Sequence, residues 1–234
     1  MKRSLTEKEE QAVCRIVEEA NRHDRTCYTA PLDADAYCLS CHGGEPVAFL
    51  AVYGMGDTRG GRRVEEILLF TAPEFRNRGR ARRLWNRYLS APETRQLSVR
   101  FSAYACPAAE QFLLHEKAEH DHDEVLMARQ LDGKMPPEAE PEETEFRMQN
   151  AFSECSVKTY GTVGYIYGVR TDASHLREGS AGGLMQDAFA ELWRRGASRA
   201  VLEVSSSNLP AWNLYRKLGF EVEERLQIWY IDIL

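Results

Sequence analysis

The stretch LEVSSSNLPAWNLYRKLGF (residues 202–220) decides how the chain is read. It opens as a β-rich run carrying one acid, Glu203, and passes through Asn208. It then continues as a helical segment with Tyr215 and stops at Gly219-Phe220. Strand alternation puts Val201, Glu203 and Ser205 on one face and Leu202 and Val204 on the other. A lone acid between apolar strand residues is costly to bury without a purpose. Asn208 stands where its side chain can cap the helix that follows.

A companion stretch, TAPEFRNRGRARRLWNRYL (71–89), sets six arginines around a glycine, between the apolar strand ILLFT and a helix. A helix N-terminus exposes unpaired N–H groups and the positive end of a dipole, so it holds phosphate oxygens well. Close approach needs small residues, and Gly79 and Ala81 supply them in Arg76-Asn77-Arg78-Gly79-Arg80-Ala81. Arg76, Arg78, Arg80, Arg82 and Arg83 add an attractive field. A solvated basic helix face and a nucleic-acid patch are the rival readings of the same arginines.

Around these two stretches the element order repeats. Residues 5–22 have the apolar spacing of an amphipathic helix, acidic early and basic late. Strands follow at AYCLSC (36–41), VAFLAVYG (47–54) and RVEEILLFT (63–71), with Gly-rich 54–61 expected as a turn. A helix over 78–90, a strand over 97–104, a helix over 108–117 and a strand over 125–131 complete a first half. DGKMPPEAEPEE (132–143), rich in proline and acids, has a linker composition. Then come EFRMQNAF and SECSVKTYG as a hairpin, strand 162–170, helix 179–196, strand 199–205, helix 209–219 and the apolar run RLQIWYIDIL. The expected fold class is α+β (mixed α/β), duplicated: a domain over 1–133, a linker over 134–143, and a domain over 144–234 lacking the initial helices.

Composition narrows the function classes. The chain has 234 residues and a net charge of −6, a poor match to general nucleic-acid or anionic-membrane binding. Its apolar runs fall far short of the roughly 20 residues of a membrane span. The polar N-terminus lacks a signal-peptide core, so a soluble cytoplasmic protein is expected. The six cysteines form no framework. Cys38-x-x-Cys41 with His42 lacks a second ligand pair, His120 and His122 being the clustered candidates elsewhere. Reduced, half-buried thiols and no metal are expected.

Residues 76–81, with Pro73-Glu74-Phe75 before them, resemble motif A of the GNAT N-acetyltransferase superfamily, the [R/Q]-x-x-G-x-[G/A] turn between strand and helix. The 202–220 stretch resembles its motif B through Leu202, Glu203, Val204, Asn208, Ala211, Leu214, Tyr215, Gly219 and Phe220. It looks closest to the enzymes that acetylate the N-terminal amine of a ribosomal protein. Those carry Arg where Ser205 stands here, so their substrate does not come over with the motif. In the second copy the turn aligns as Leu176-Arg177-Glu178-Gly179-Ser180-Ala181, with Leu176 departing from Arg or Gln.

The resemblance implies two tandem GNAT-like domains, each a mixed central sheet flanked by helices. It implies acetyl-CoA as acyl-donor cosubstrate, a primary amine of a small molecule or peptide as acceptor, and a monomer or homodimer. Cofactor binding is expected on 76–81 and on Arg177, Glu178, Gly179, Ser180 and Ala181, with Val169 and Asn208 alongside. A free amine of pKa ~8–10 is mostly protonated at neutral pH, so a base must take its proton. The resemblance assigns that task to Glu203, and protonation of the departing thiolate to Tyr215. The first copy's counterpart, ACPAAEQFLLHEKAEH (105–120), keeps Ala109 and Phe112-Leu113 but has Leu113 in the donor's place. Glu65 and Glu66 remain there as bases, with Tyr104 nearby. The C-terminal copy is therefore expected to catalyse, an N-terminal active site or a non-catalytic CoA-binding module being the alternatives.

Overall fold

The computed structural model describes residues 1–94, 96–131 and 143–233, and the expected linker 134–143, but for Glu143, lies outside the described residues. The first elements are α1 (Glu7–Asp24), β1 (Ala36–His42), β2 (Glu45–Arg59), β3 (Arg62–Thr71), α2 (Arg80–Leu89), β4 (Leu97–Tyr104), α3 (Pro107–His115) and β5 (Glu119–Gln130). After the linker come β6 (Glu145–Gln149), β7 (Ser153–Tyr160), β8 (Val163–Thr171), α4 (Ser180–Arg194), β9 (Arg199–Ser205), α5 (Leu209–Lys217) and β10 (Glu221–Ile233). The mixed α/β class and the repeated element order follow the sequence reading. Gly-rich 54–61 does not: β2 runs through it to Arg59, and the reversal is at Gly60-Gly61.

α1 begins where its capping box dictates. The Thr6 N–H donates to Glu9 Oε2 (2.9 Å), and the Glu9 N–H donates to Thr6 Oγ1 (3.4 Å), a pairing worth about 1 kcal/mol. Its apolar stripe, Ala12, Val13, Ile16, Val17 and Ala20, is buried. In β2 the run VAFLAV is apolar without alternation because both faces of the strand are covered. Ala48, Leu50 and Val52 face a core with Leu84, Trp85 and Tyr88 of α2 and Leu113 of α3. Phe49 and Ala51 face a second core with Val13, Ile16 and Val17 of α1.

The chain forms two compact units, Met1–Asp121 with Leu226–Leu234, and His122–Arg225. These differ from the consecutive halves 1–133 and 144–234, because strand pairing rather than linker composition sets them. In the first unit β2 pairs antiparallel with β1 and β3, β3 runs parallel to β4, and Leu226–Ile233 of β10 pairs antiparallel with β4. In the second, β6, β7 and β8 are antiparallel, β8 runs parallel to β9, and β5 pairs antiparallel with β9. Thus residues 124–130 of β5, read as closing the first half, pair within the second unit. The second unit has one core, joining Val125, Met127, Ile166, Leu202 and Val204 to Leu184, Met185 and Leu192 of α4 and Tyr215 of α5.

Candidate active site

Each unit contains the same turn, one hundred residues apart. A short 3₁₀ segment (Pro73–Phe75 or Ala173–His175) leads to an extended residue, Arg76 or Leu176. A left-handed residue follows, Asn77 (φ 58°) or Arg177 (φ 65°), and then a left-handed glycine, Gly79 (φ 68°) or Gly179 (φ 85°). The helix starts at the next residue, with no side chain capping it. Glycine is favoured at 79 and 179 because a Cβ strains that conformation by about 1–2 kcal/mol. The uncapped amides of the first turn of α2 and of α4 are the donors such a site offers to phosphate oxygens.

The charges around the two turns differ. In the first unit Arg78, Arg82 and Arg83 are exposed beside the turn. Arg80 Nη1 donates to Ser40 Oγ (2.9 Å) and to the Cys41 carbonyl (3.1 Å). Arg76 is committed elsewhere: its two Nη atoms donate to the Asp24 carboxylate (2.8 and 2.6 Å), and Nε donates to the Thr71 carbonyl (3.1 Å). The guanidinium holds the Asp24 carboxyl below the usual carboxylate range. In the second unit Arg177 and Glu178 oppose each other in sign, and Glu178 Oε2 lies 3.0 Å from Nδ1 of His175, whose ring stacks on Phe152 at 3.6 Å. Ser180 is fastened to Asn150, which donates to its carbonyl (2.9 Å) and accepts from its hydroxyl (2.9 Å).

Beside each turn the two parallel strands part. β3 and β4 pair from Arg63↔Leu97 to Ile67↔Phe101 and then separate, although they run on to Thr71 and Tyr104. β8 and β9 pair over Val163–Tyr165 and Arg199–Val201 before separating. The register of β8 shifts near Gly168 (φ 61°), a bulge, whereas β3 pairs with β2 in unbroken register from Glu65 to Thr71 and its shift lies further back, between Gly54 and Thr58 of β2. In the first unit the parting opens a cavity of about 700 Å³, which runs from the turn at Arg76–Arg82 past Leu68–Thr71 and Ser102 to Cys106 and Glu116, the residues that flank α3. Thr71 Oγ1, on this wall, is buried and has no partner among the described residues. Ser102 Oγ donates to Glu66, which also lies 3.7 Å from Arg100. Glu65 accepts from the Tyr88 hydroxyl (2.6 Å) and pairs with Arg63 (2.8 Å), so it is bound into the structure. Cys106 stands at the N-cap of α3, the place Asn208 has in the second unit.

In the second unit Asn208 caps α5, its Oδ1 accepting from the Ala211 N–H (3.3 Å). Val169 packs against the core. Tyr215 is buried in that core with an edge-on contact to Phe220, and burial pushes its phenol pKa up. Among the described residues its hydroxyl has no hydrogen-bond partner. Glu203 leaves the sheet on the opposite face and is exposed, because no described helix of its own unit covers that face. Neither Arg199 nor Arg216 forms an ion pair with it, Arg199 pairing with Glu223 instead. Glu203 lies beside Tyr165, whose pKa is raised first by burial and then by this carboxylate. Glu203 and Tyr215 thus flank the parting of β8 and β9 from opposite faces.

Cys38 is buried in β1 and its thiol pKa is pushed up by burial, while Cys41 is exposed. No group of three or more His, Cys, Asp or Glu side chains suited to a metal occurs among the described residues. No helix among them is long and apolar enough to cross a membrane.

The model of the acetyltransferase (GNAT) family matches residues 5–113 and again residues 144–220. The chain belongs to the GNAT family of acetyltransferases. Each match spans one turn with the strand and helix after it, so the family pattern is present twice. The fold is similar to a GCN5-related N-acetyltransferase from Sphaerobacter thermophilus, at 18% identity and a TM-score of 0.68 over 98% of this chain and 94% of that one. It is also similar to a tandem GNAT protein from the clavulanic acid biosynthesis pathway, at 12% identity and a TM-score of 0.61 over 97% and 96% of the two chains. No curated protein matches by sequence. Asp24, Thr71 and Ser102 escaped sequence reading, since each acquires its place through residues distant in the chain.

Proposed function

We propose that this GNAT protein is an acetyl-CoA-dependent N-acetyltransferase for a primary amine, with acetyl-CoA held by the first unit. The cavity between the parting strands β3 and β4 carries this reading, because it joins the phosphate-type turn to the middle of the sheet in one continuous space. The site fits the cosubstrate: uncapped amides at Gly79–Arg82 suit a diphosphate, Arg78, Arg82 and Arg83 add cations, and Thr71 Oγ1 is a buried polar atom in want of a partner. Motif completeness alone favours the C-terminal copy. The charge around the turns favours the N-terminal one, since Arg78 and Arg80 stand where the second copy has the acid Glu178 and the neutral Ser180.

When bound, acetyl-CoA supplies a thioester carbonyl open to attack by a neutral amine. Ser102 lies on the cavity wall and hands its hydroxyl proton toward Glu66, so Glu66 acting through Ser102 is the base this unit offers. Phe70, Phe101 and Phe112 give the cavity an apolar lining beside these polar groups. Glu66→Gln tests the assignment: kcat with a primary amine should fall about 100-fold, the ordinary scale for losing a general base. Unchanged turnover over the pH range would contradict it.

A second reading keeps catalysis in the C-terminal copy, with Glu203 as base and Tyr215 as acid. The hydroxyl of Tyr215 supports it: it has no partner among the described residues and, unlike Thr71 Oγ1, its oxygen is not sealed from solvent, so it is free to meet a departing thiolate. A gap in the sheet lets groups on opposite faces approach one carbonyl. Under this reading Tyr215→Phe, not Glu66→Gln, stops turnover.

A further inference from the structure

Arg76 opens the N-terminal turn, yet its guanidinium donates to Asp24 and the Thr71 carbonyl rather than toward the phosphate position. We propose that Asp24 is a positioning residue: its fork with Arg76 ties the C-terminal end of α1 to the phosphate turn and presets the turn for the diphosphate of CoA. The inference rests on the first unit being the acetyl-CoA site.

Three features support it. The fork is bidentate and largely shielded, with side-chain exposures of 19% for Arg76 and 13% for Asp24, the geometry in which an Arg–carboxylate pair fixes orientation. The residue after Arg76 is Asn77, held at φ 58°, and a non-glycine residue keeps such a conformation only where its surroundings impose it. The second unit reaches the same backbone without the fork. There Leu176 replaces Arg76 and is 58% exposed, no described helix of that unit precedes β8, and Asn150 grips Ser180 instead. Two unrelated braces on one turn conformation point to positioning as the shared task.

The same fork reaches the far wall of the cavity. One turn before Asp24, Asn21 donates to the Tyr28 carbonyl (2.8 Å) and accepts from the Tyr28 N–H (3.0 Å) and the Thr26 hydroxyl (2.8 Å). Tyr28 in turn accepts the Tyr104 N–H (2.7 Å) at the end of β4 and packs edge-on against Phe70 and Tyr104. The end of α1 therefore anchors both the turn and the Tyr28 wall, and Asp24 is the link to the turn.

The test is calorimetric titration of the full-length chain with CoA, supplemented by kinetics. Asp24→Asn and Arg76→Gln are each expected to weaken CoA binding about tenfold, and the double variant no further, because both remove one interaction. Asp24→Glu should recover most of the loss. With acetyl-CoA, KM should rise by a similar factor while kcat at saturation changes less than about threefold. Additive losses, or Asp24→Asn binding CoA as tightly as the unmodified chain, overturn the proposal. Should Asp24→Asn fail to fold, Arg76→Lys decides: it keeps the charge and loses the fork, so an unchanged CoA affinity overturns the proposal and a tenfold loss supports it. If the unmodified chain binds no CoA, or Gly79→Glu leaves CoA binding intact, it is the assignment of the first unit that fails.

Discussion

The N-terminal unit has helices on both faces of its sheet, α1 on one and α2 with α3 on the other, whereas the C-terminal unit has α4 and α5 on one face. That difference reaches the site. In the N-terminal unit α1 supplies Asp24 to brace the turn and the 25–28 segment to wall the cavity. In the C-terminal unit the uncovered face leaves Glu203 exposed, and the turn carries an acid, Glu178. The C-terminal copy retains the residues of motif B, and the N-terminal copy retains a formed cleft.

The largest effect that distinguishes the copies is expected from the turn glycines. Gly79→Glu should abolish acetyl-CoA-dependent turnover, since it strains φ 68° and sets a carboxylate among the phosphate donors, while Gly179→Glu should keep activity within a few-fold. Steady-state assays on a panel of primary amines check this, and equal losses would erase the asymmetry. Next in size, Glu66→Gln should cost about 100-fold in kcat and Glu203→Gln less than about threefold. The reverse order would move catalysis to the C-terminal unit. Tyr215→Phe sharpens the same contrast, with kcat expected within about twofold of the parent and a loss on the order of 100-fold if Tyr215 is the acid.

The smallest effect concerns stability against pH. The Asp24 pKa is lowered in the folded state, so the fork stabilises fully above the ordinary carboxylate value of ~3.9 and is lost as pH falls through the folded value. The melting-temperature gap between the parent and Asp24→Asn should stay constant from about pH 8 to 9, clear of any contribution from the His23 ring 2.8 Å from Asp24 Oδ1, and shrink once pH falls below the ordinary carboxylate range. A gap that changes within the alkaline range would assign the effect to another group.

Much of this fold is legible in local pattern. The capping box of α1, the apolar stripes of the helices and the uninterrupted VAFLAV run each carry their own physics, and both turns follow from glycine placed between strand and helix. Strand partnership is not local. Nothing in VLMARQL or RLQIWYIDIL says which sheet each completes, because any apolar strand satisfies any free edge, and so the halves read from the linker are not the compact units. At the site, the residue types of motif B are readable, but the exposure of Glu203 depends on what covers its face of the sheet. The Asp24–Arg76 fork joins residues 52 positions apart, beyond the reach of any motif.

The N-terminal turn is the one assigned to hold acetyl-CoA, and calorimetric titration of CoA into the parent chain, Gly79→Glu and Gly179→Glu tests that most directly. Tight binding is predicted for the parent and for Gly179→Glu, and none for Gly79→Glu. Binding retained in Gly79→Glu and lost in Gly179→Glu would contradict it.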